Sequence, residues 1–123
     1  MKQYNLSPME EEFSYLIWSC EPISTKDLIK VAEKHFDWKR TTTYTMLKRL
    51  IDKDIFVNDN GTVYSKISQK DYEANKSQIF INESFDGSLP KFITAFVRKN
   101  KLSDADLKEL KKLIQEYDVK GDK

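Results

Sequence analysis

Apolar residues recur every three or four positions through the first fifty residues, the spacing of helices buried along one face. Met9, Phe13, Leu16, Ile17 and Cys20 form the first stripe. It opens at Ser7-Pro8-Met9-Glu10, a capping box in which the serine hydroxyl and the glutamate carboxylate satisfy free backbone N–H groups and Pro8 fills the first helical position. Pro22 ends it. A cap at Ser24 or Thr25 then opens a helix with Leu28, Val31 and Ala32 on one face, extended by His35 and Phe36, and Asp37-Trp38 forms the next break. From about Thr41 to Lys53 the pattern predicts a third helix with Tyr44, Leu47, Leu50 and Ile51 on or near its inner face. Thr42, Thr45, Lys48, Arg49 and Asp52 lie outside or flank it. Thr41, Thr42 and Thr43 are weak helix formers, but they suit a first turn, where hydroxyls cap N–H groups or meet phosphates.

The helical period then gives way to alternation. Ile55-Phe56-Val57 and Thr62-Val63-Tyr64 flank Asp59-Asn60-Gly61, and Asn-Gly between β-prone runs predicts a hairpin because both residues tolerate positive φ. Three short helices followed by a hairpin make a winged helix-turn-helix, expected over residues 1–69. Residues 70–123 turn helical again. Ser68 caps a helix with a sparse stripe of Tyr72, Ile79 and Phe80, and Phe85-Asp86-Gly87-Ser88 breaks it. Ser88 caps a helix carrying Leu89, Phe92, Ile93, Phe96 and Val97. Ser103 caps the last, with Asp106 at its third position, Leu102 packing on Leu107, and Leu107, Leu110, Leu113, Ile114 and Tyr117 along its stripe; Val119 to Lys123 reads as a frayed tail. These three helices have too little sequence to enclose their own large apolar side chains. A second copy solves this, so residues from about 70 onward are expected to form a homodimer interface built from Tyr72, Ile79, Phe80, Leu89, Phe92, Ile93, Phe96, Val97, Leu107, Leu110, Ile114 and Tyr117. The alternative is that they fold back on the N-terminal domain.

Composition narrows the function. With 39% hydrophobic and 33% charged residues, three Gly and three Pro in 123 residues, the chain suits one or two small, mainly α cores. It has too little loop chemistry for a β-sandwich and is too apolar for disorder. The polar start, Met1 to Leu6, and the lack of any apolar run of about 18 residues predict neither signal peptide nor membrane helix, hence a cytoplasmic protein. A single cysteine, Cys20, and a single histidine, His35, both on core-facing positions, cannot build a disulfide, a zinc site or a nucleophile–base pair. The expectation is a protein without metal or cofactor and without enzymatic activity. Glu10-Glu11-Glu12, in a first helical turn, reads as a solvated face favoured by the helix dipole.

Charge is nearly balanced, 21 Lys and Arg against 20 Asp and Glu, which argues against an indiscriminate nucleic-acid coat. The balance is local as well as global: residues 1–70 hold 11 basic and 10 acidic side chains. Cations are instead concentrated between Lys39 and Arg49, where Lys39, Arg40, Lys48 and Arg49 occur with no acidic residue. On a third helix preceding a hairpin, that stretch fits the major groove of double-stranded DNA, its N-terminal residues facing base edges and its flanking cations and hydroxyls facing phosphates. Few phosphate contacts per chain make one domain weak at physiological salt, so two coupled domains are required for useful occupancy. Near-neutral charge also keeps a second reading, a winged-helix protein-interaction module whose helical C-terminus docks on a larger assembly.

The string from Trp38 to Leu50, with its pattern Trp-x-x-Thr-Thr-x-x-Thr-x-Leu-x-Arg-Leu, resembles the penicillinase-repressor family, the BlaI/MecI/CopY group of bacterial repressors. So do Leu6-Ser7-Pro8-Met9-Glu10, Leu16-Ile17-Trp18, and Phe85-Asp86-Gly87-Ser88-Leu89-Pro90 followed by Phe96-Val97 and Leu102-Ser103, so that the match covers nearly the whole chain. The resemblance implies a dimeric repressor reading a palindromic operator, with a regulatory protease or sensor as a further partner. Thr41, Thr42, Thr45 and Arg49 match the family's recognition-helix pattern, while Lys39, Arg40, Tyr44 and Lys48 occupy its variable positions. Operator choice is then expected from Arg40, Tyr44 and Lys48, and phosphate or thymine-methyl contacts from Thr41, Thr42 and Thr45. The chain departs from the family at Asp54, where a glycine commonly follows the recognition helix, and at Thr62, where an arginine usually follows the wing glycine, so the wing is expected to bind phosphate weakly. It has no cysteine beyond Cys20, which excludes copper sensing through paired Cys-x-Cys motifs. It has no Asn-Phe pair, the bond at which β-lactam-responsive members are cleaved.

Overall fold

The elements run α1 (Pro8–Cys20), β1 (Ile23–Ser24), α2 (Thr25–Phe36), α3 (Arg40–Asp52), β2 (Phe56–Asp59), β3 (Thr62–Ser65), α4 (Gln69–Ser84), α5 (Leu89–Lys99) and α6 (Asp104–Lys120) in a computed structural model that describes residues 3–120. Serine starts most of the helices. The capping box of α1 is closed in both directions, Glu10 N–H donating to Ser7 Oγ at 3.2 Å and Ser7 N–H to Glu10 Oε1 at 2.8 Å. Ser24, Ser68, Ser88 and Ser103 each accept the N–H of the residue three further on, opening α2, α4, α5 and α6. Of the expected frayed tail, Val119 and Lys120 are still helical, and residues 121–123 lie outside the described residues.

The chain divides into two compact units, Met1–Phe80 and Ile81–Lys123. The first has a continuous core: Phe13, Ile17 and Trp18 from α1, Leu28 and Ala32 from α2, Met46, Leu47 and Leu50 from α3, Ile55, Phe56 and Val63 from the hairpin region, and Tyr72 from α4. The buried face of α1 is turned from the predicted stripe. Met9 is exposed, Leu16 and Cys20 are only half-buried, and Trp18 goes inside, its indole N–H donating to the Ile67 carbonyl at 3.1 Å. Glu10 shares this side, its carboxylate held inward by the capping box and by Lys53, so that positions 10, 13, 14, 17 and 18 form the buried face. On α2, Leu28 and Ala32 are buried, Val31 and Phe36 half-buried, and His35 is exposed rather than core-facing.

The sheet has the order β1-β3-β2, antiparallel throughout. Strand β1, which pairs Ile23 with Val63 and Ser24 with Thr62, is an addition to the predicted hairpin. At the hairpin tip Asn60 and Gly61 have φ of 51° and 90° between the paired Asp59 and Thr62, the two left-handed residues of a type I′ turn. Asn58 Oδ1 also accepts the Gly61 N–H.

After α3 the chain turns at Asp54, whose φ is 65°. A residue with a Cβ is disfavoured there, and the carboxylate's exposed pair with Lys66, at 3.1 Å, returns little. Asp54→Gly is therefore expected to stabilise the first unit by about 0.5–1 kcal/mol, read as a raised urea midpoint with unchanged slope. A lowered midpoint would show that the carboxylate's contacts outweigh the backbone strain.

Tyr72, expected at the dimer interface, is only 3% exposed within this single chain. Its ring packs against Trp18 with centroids 5.3 Å apart and its hydroxyl donates to Glu11 Oε2 at 2.6 Å, so it has no surface left for a partner. The first unit accordingly extends through Phe80.

The second unit is built differently. After the turn at Asp86 and Gly87, where Gly87 N–H donates to the Ile81 carbonyl, Phe85, Phe92 and Phe96 line up with ring centroids 5.4 and 6.1 Å apart. Helix α5 has no buried residue. Leu89, Ile93, Phe96, Val97, Leu107, Leu113, Ile114 and Tyr117 are all exposed, Ile114 to 65%, while Phe92 and Leu110 are half-covered.

Candidate nucleic-acid interface

Helix α3 is held at both ends. Before it, Trp38 stacks on Phe36 at 4.6 Å and meets Phe13 edge-on at 5.0 Å, which fixes where Lys39 and Arg40 leave the core. After it, Lys53 donates to the Asn5 carbonyl and to Glu10 Oε1, both at 2.7 Å. Burial pushes the Glu10 carboxyl up, but the hydrogen bonds from Lys53 and Ser7, with the Lys53 charge, outweigh it and leave its pKa below the ordinary value.

Between these anchors, Thr43, Met46, Leu47 and Leu50 are buried and Ile51 is half-buried. Every residue expected to face DNA is exposed: Lys39, Arg40, Thr41, Thr42, Tyr44, Thr45, Lys48 and Arg49. Tyr44, which the apolar spacing placed on or near the inner face, is 40% exposed and lies under the Arg40 guanidinium, 5.7 Å from the ring centroid. Thr43 takes the inner position instead. Its hydroxyl bonds the Lys39 carbonyl at 3.3 Å, whereas a buried tyrosine would need a partner for its phenol. Thr45 likewise donates to the Thr41 carbonyl at 2.9 Å, which leaves its methyl group and oxygen lone pairs for an outside partner. Thr41, Thr45 and Lys48 follow one another at four- and three-residue spacing along the middle of the outward face. No side chain caps the helix at Lys39, so its first N–H groups point outward unpaired by any cap.

The hairpin beyond carries Asp59, Asn60 and Thr62 at its exposed tip and has no Lys or Arg between Phe56 and Ser65. Lys66, just past it, is paired with Asp54. The cations of this surface thus belong to α3 and to Lys39 before it.

The glutamate run is not one solvated face. Glu10 is buried to 4% exposure, Glu11 is half-buried, and only Glu12 is exposed. Glu11 Oε2 accepts from Lys76 at 2.8 Å and from Tyr72, and these bonds hold its pKa below the ordinary value against the effect of burial. They tie the start of α4 to α1. The only sign in the sequence that the run divides is that Glu10 stands at the third position of a capping box; nothing near Glu11 points to Tyr72 or Lys76. Both carboxylates release their protons more readily folded than unfolded, so their contribution is complete above the ordinary carboxylate pKa near 4.5 and is lost as pH falls through the depressed folded values. The urea midpoint is expected to fall as pH drops below about 4.5, with a shallower fall in Glu11→Gln.

Cys20 is half-buried with its Sγ 3.2 Å from the Leu16 carbonyl, and burial pushes its thiol pKa up, the opposite of a reactive thiolate. Among the described residues no group of three or more His, Cys, Asp and Glu could hold a metal ion, and no helix is long and apolar enough to cross a membrane.

A helix anchored at both ends, presenting hydroxyls and cations outward and followed by a β-hairpin that a short strand ahead of α2 completes to a three-stranded antiparallel sheet, defines the winged helix-turn-helix class, here continued by further helices. The sequence pattern of the penicillinase repressor family matches residues 6–116, and the chain belongs to that family. The penicillinase repressor of Bacillus licheniformis is 31% identical over 116 residues, 91% of each chain. The methicillin resistance regulatory protein MecI of Staphylococcus aureus is 29% identical over 117 residues, 92% of this chain and 95% of its own. A solution structure of the monomeric form of Bacillus licheniformis BlaI with the blaP half-operator aligns with a TM-score of 0.49 at 31% identity, covering 58% of this chain and 94% of that one.

Proposed function

We propose that the protein is a DNA-binding transcriptional repressor that acts in the cytoplasm as a homodimer. Helix α3 reads a half-site in the major groove, and the α5–α6 surface joins two chains on a palindromic operator. The observation that carries the reading is the division of α3 into a buried apolar face and an outward face on which Arg40, Thr41, Thr42, Tyr44, Thr45, Lys48 and Arg49 are all exposed. Membership of a repressor family supports it, as do relatives named as penicillinase and methicillin-resistance regulators. In this assignment Arg40, Tyr44 and Lys48 discriminate bases. Thr41, Thr42 and Thr45 contact phosphates or thymine methyls, and the uncapped first turn of α3 adds backbone N–H donors for a phosphate. The apolar side chains left open on α5 and α6 support a second copy as partner, with half-sites centred about ten base pairs apart, one turn of the duplex. Repression follows from occupancy of promoter DNA, and induction from whatever event weakens the dimer or its grip. No catalytic step is assigned.

A gel-shift experiment with the gene's own upstream region tests this. A band that resists excess scrambled duplex and disappears with excess unlabelled upstream DNA is expected. A protein-interaction module would give no competitor-resistant band.

A further inference from the structure

The outward face of α3 carries one residue of the wrong sign for DNA. Asp52 continues the line of Thr41, Thr45 and Lys48 at a further four-residue step, and its carboxylate takes Lys48 Nζ at 3.5 Å, with the two side chains 62% and 77% exposed. Helix stability does not explain it. Asp52 is the last residue of α3, where the carbonyl end of the helix dipole disfavours negative charge. The pair also runs lysine first and acid second, the weaker orientation for a four-residue spacing, and it is open to solvent and salt. A carboxylate that adds little to folding, set on the face that meets a polyanion and holding one of its few cations, acts on binding instead.

Resting on the DNA-binding assignment above, we propose that Asp52 is a specificity-determining residue that works by occupying Lys48. Away from a matched site the carboxylate competes with phosphate for the ammonium group, which depresses sequence-independent affinity. At the operator, base contacts along α3 hold the helix in register and Lys48 is drawn off its partner. Asp52 therefore widens the gap between operator and bulk DNA by weakening the latter more, the logic of discrimination by an unfavourable element.

The test compares wild type, Asp52→Asn, Lys48→Ala and the double variant of the full-length chain, with the upstream duplex and a scrambled duplex of equal length, by fluorescence anisotropy across a salt series. Asp52→Asn keeps the side-chain shape and removes the charge, and its thermal midpoint is expected to stay within a few degrees of wild type. Binding to scrambled DNA is expected to tighten about three- to tenfold at low salt, with the slope of log affinity against log salt steeper by about one per chain. Operator affinity should gain less, so that the specificity ratio falls, and the gain should largely vanish in the Lys48→Ala background. An unchanged slope and affinity, a selective loss of operator binding, or an equal gain without Lys48 would each overturn the proposal. Wild-type binding to duplex DNA that varies with salt keeps the DNA-binding assignment in place whatever Asp52→Asn does, and its absence would remove both.

Discussion

Phe96→Glu and Ile114→Glu, each made alone, are expected to turn a particle of two chains into one of 14.5 kDa in sedimentation velocity and to lower operator affinity by about a hundredfold or more. Both side chains are exposed in the single chain, on α5 and α6, so a charge at Ile114 disturbs little within the protomer and one at Phe96 costs mainly its contact with Phe92. In the assembly it would enter an apolar interface without a counter-charge, which is among the most destabilising changes known. The loss in affinity then follows without any change to α3. A dimer presents its second reading head at an effective concentration near millimolar, and a monomer must find the second half-site from solution. Fold damage is separable with two readouts: far-UV circular dichroism should keep the helical signal to which α5 and α6 contribute, and Trp18 and Trp38, the only two tryptophans, report on the first unit. Their fluorescence should be unchanged in both variants. Variants that remain dimeric would place the interface elsewhere.

The second large effect is expected at Arg40. It stands on the first turn of α3, the part of such a helix that faces base edges, and the Tyr44 ring beneath its guanidinium restrains it before any contact is made. A guanidinium paired with a guanine contributes about 1–3 kcal/mol of discrimination. The contact occurs twice in a symmetric complex, so Arg40→Ala is expected to reduce operator affinity by about a hundredfold while changing binding to scrambled DNA far less. Base-by-base substitution in the operator should then show one position per half-site at which the variant has lost its preference. A uniform loss across all duplexes would make Arg40 a phosphate contact.

Features legible in the sequence were those that local chemistry decides. Each serine cap binds a backbone group three residues away, and Asn60-Gly61 closes its turn within four residues, so neither depends on distant packing. What periodicity misplaced depended on a partner that spacing does not name. Tyr44 and Thr43 are neighbours, and the choice of which goes inside rests on whether its hydroxyl finds an acceptor there. Tyr72 lies on an apolar stripe that fits a dimer interface equally well, until Trp18 and Glu11 are found waiting in the same chain. The inward turn of Glu10 depends on Lys53, forty-three residues away, and β1 is two residues long, below the length at which alternation can be seen. The exposed cations Lys39, Arg40, Lys48 and Arg49 are readable for a simpler reason: a short basic run free of acids can only be placed on a surface.

The missing side-chain cap at the start of α3 has a dynamic consequence. A first turn without a side-chain cap leaves its N–H groups to solvent, and their amide hydrogens are expected to exchange faster than those of the buried middle of α3, while the Trp38 stack fixes the chain's entry point. The helix proposed to read DNA would then have a fixed root and a first turn whose donors await a partner. The ordering of those few groups against a phosphate would be part of the entropy of association rather than of folding.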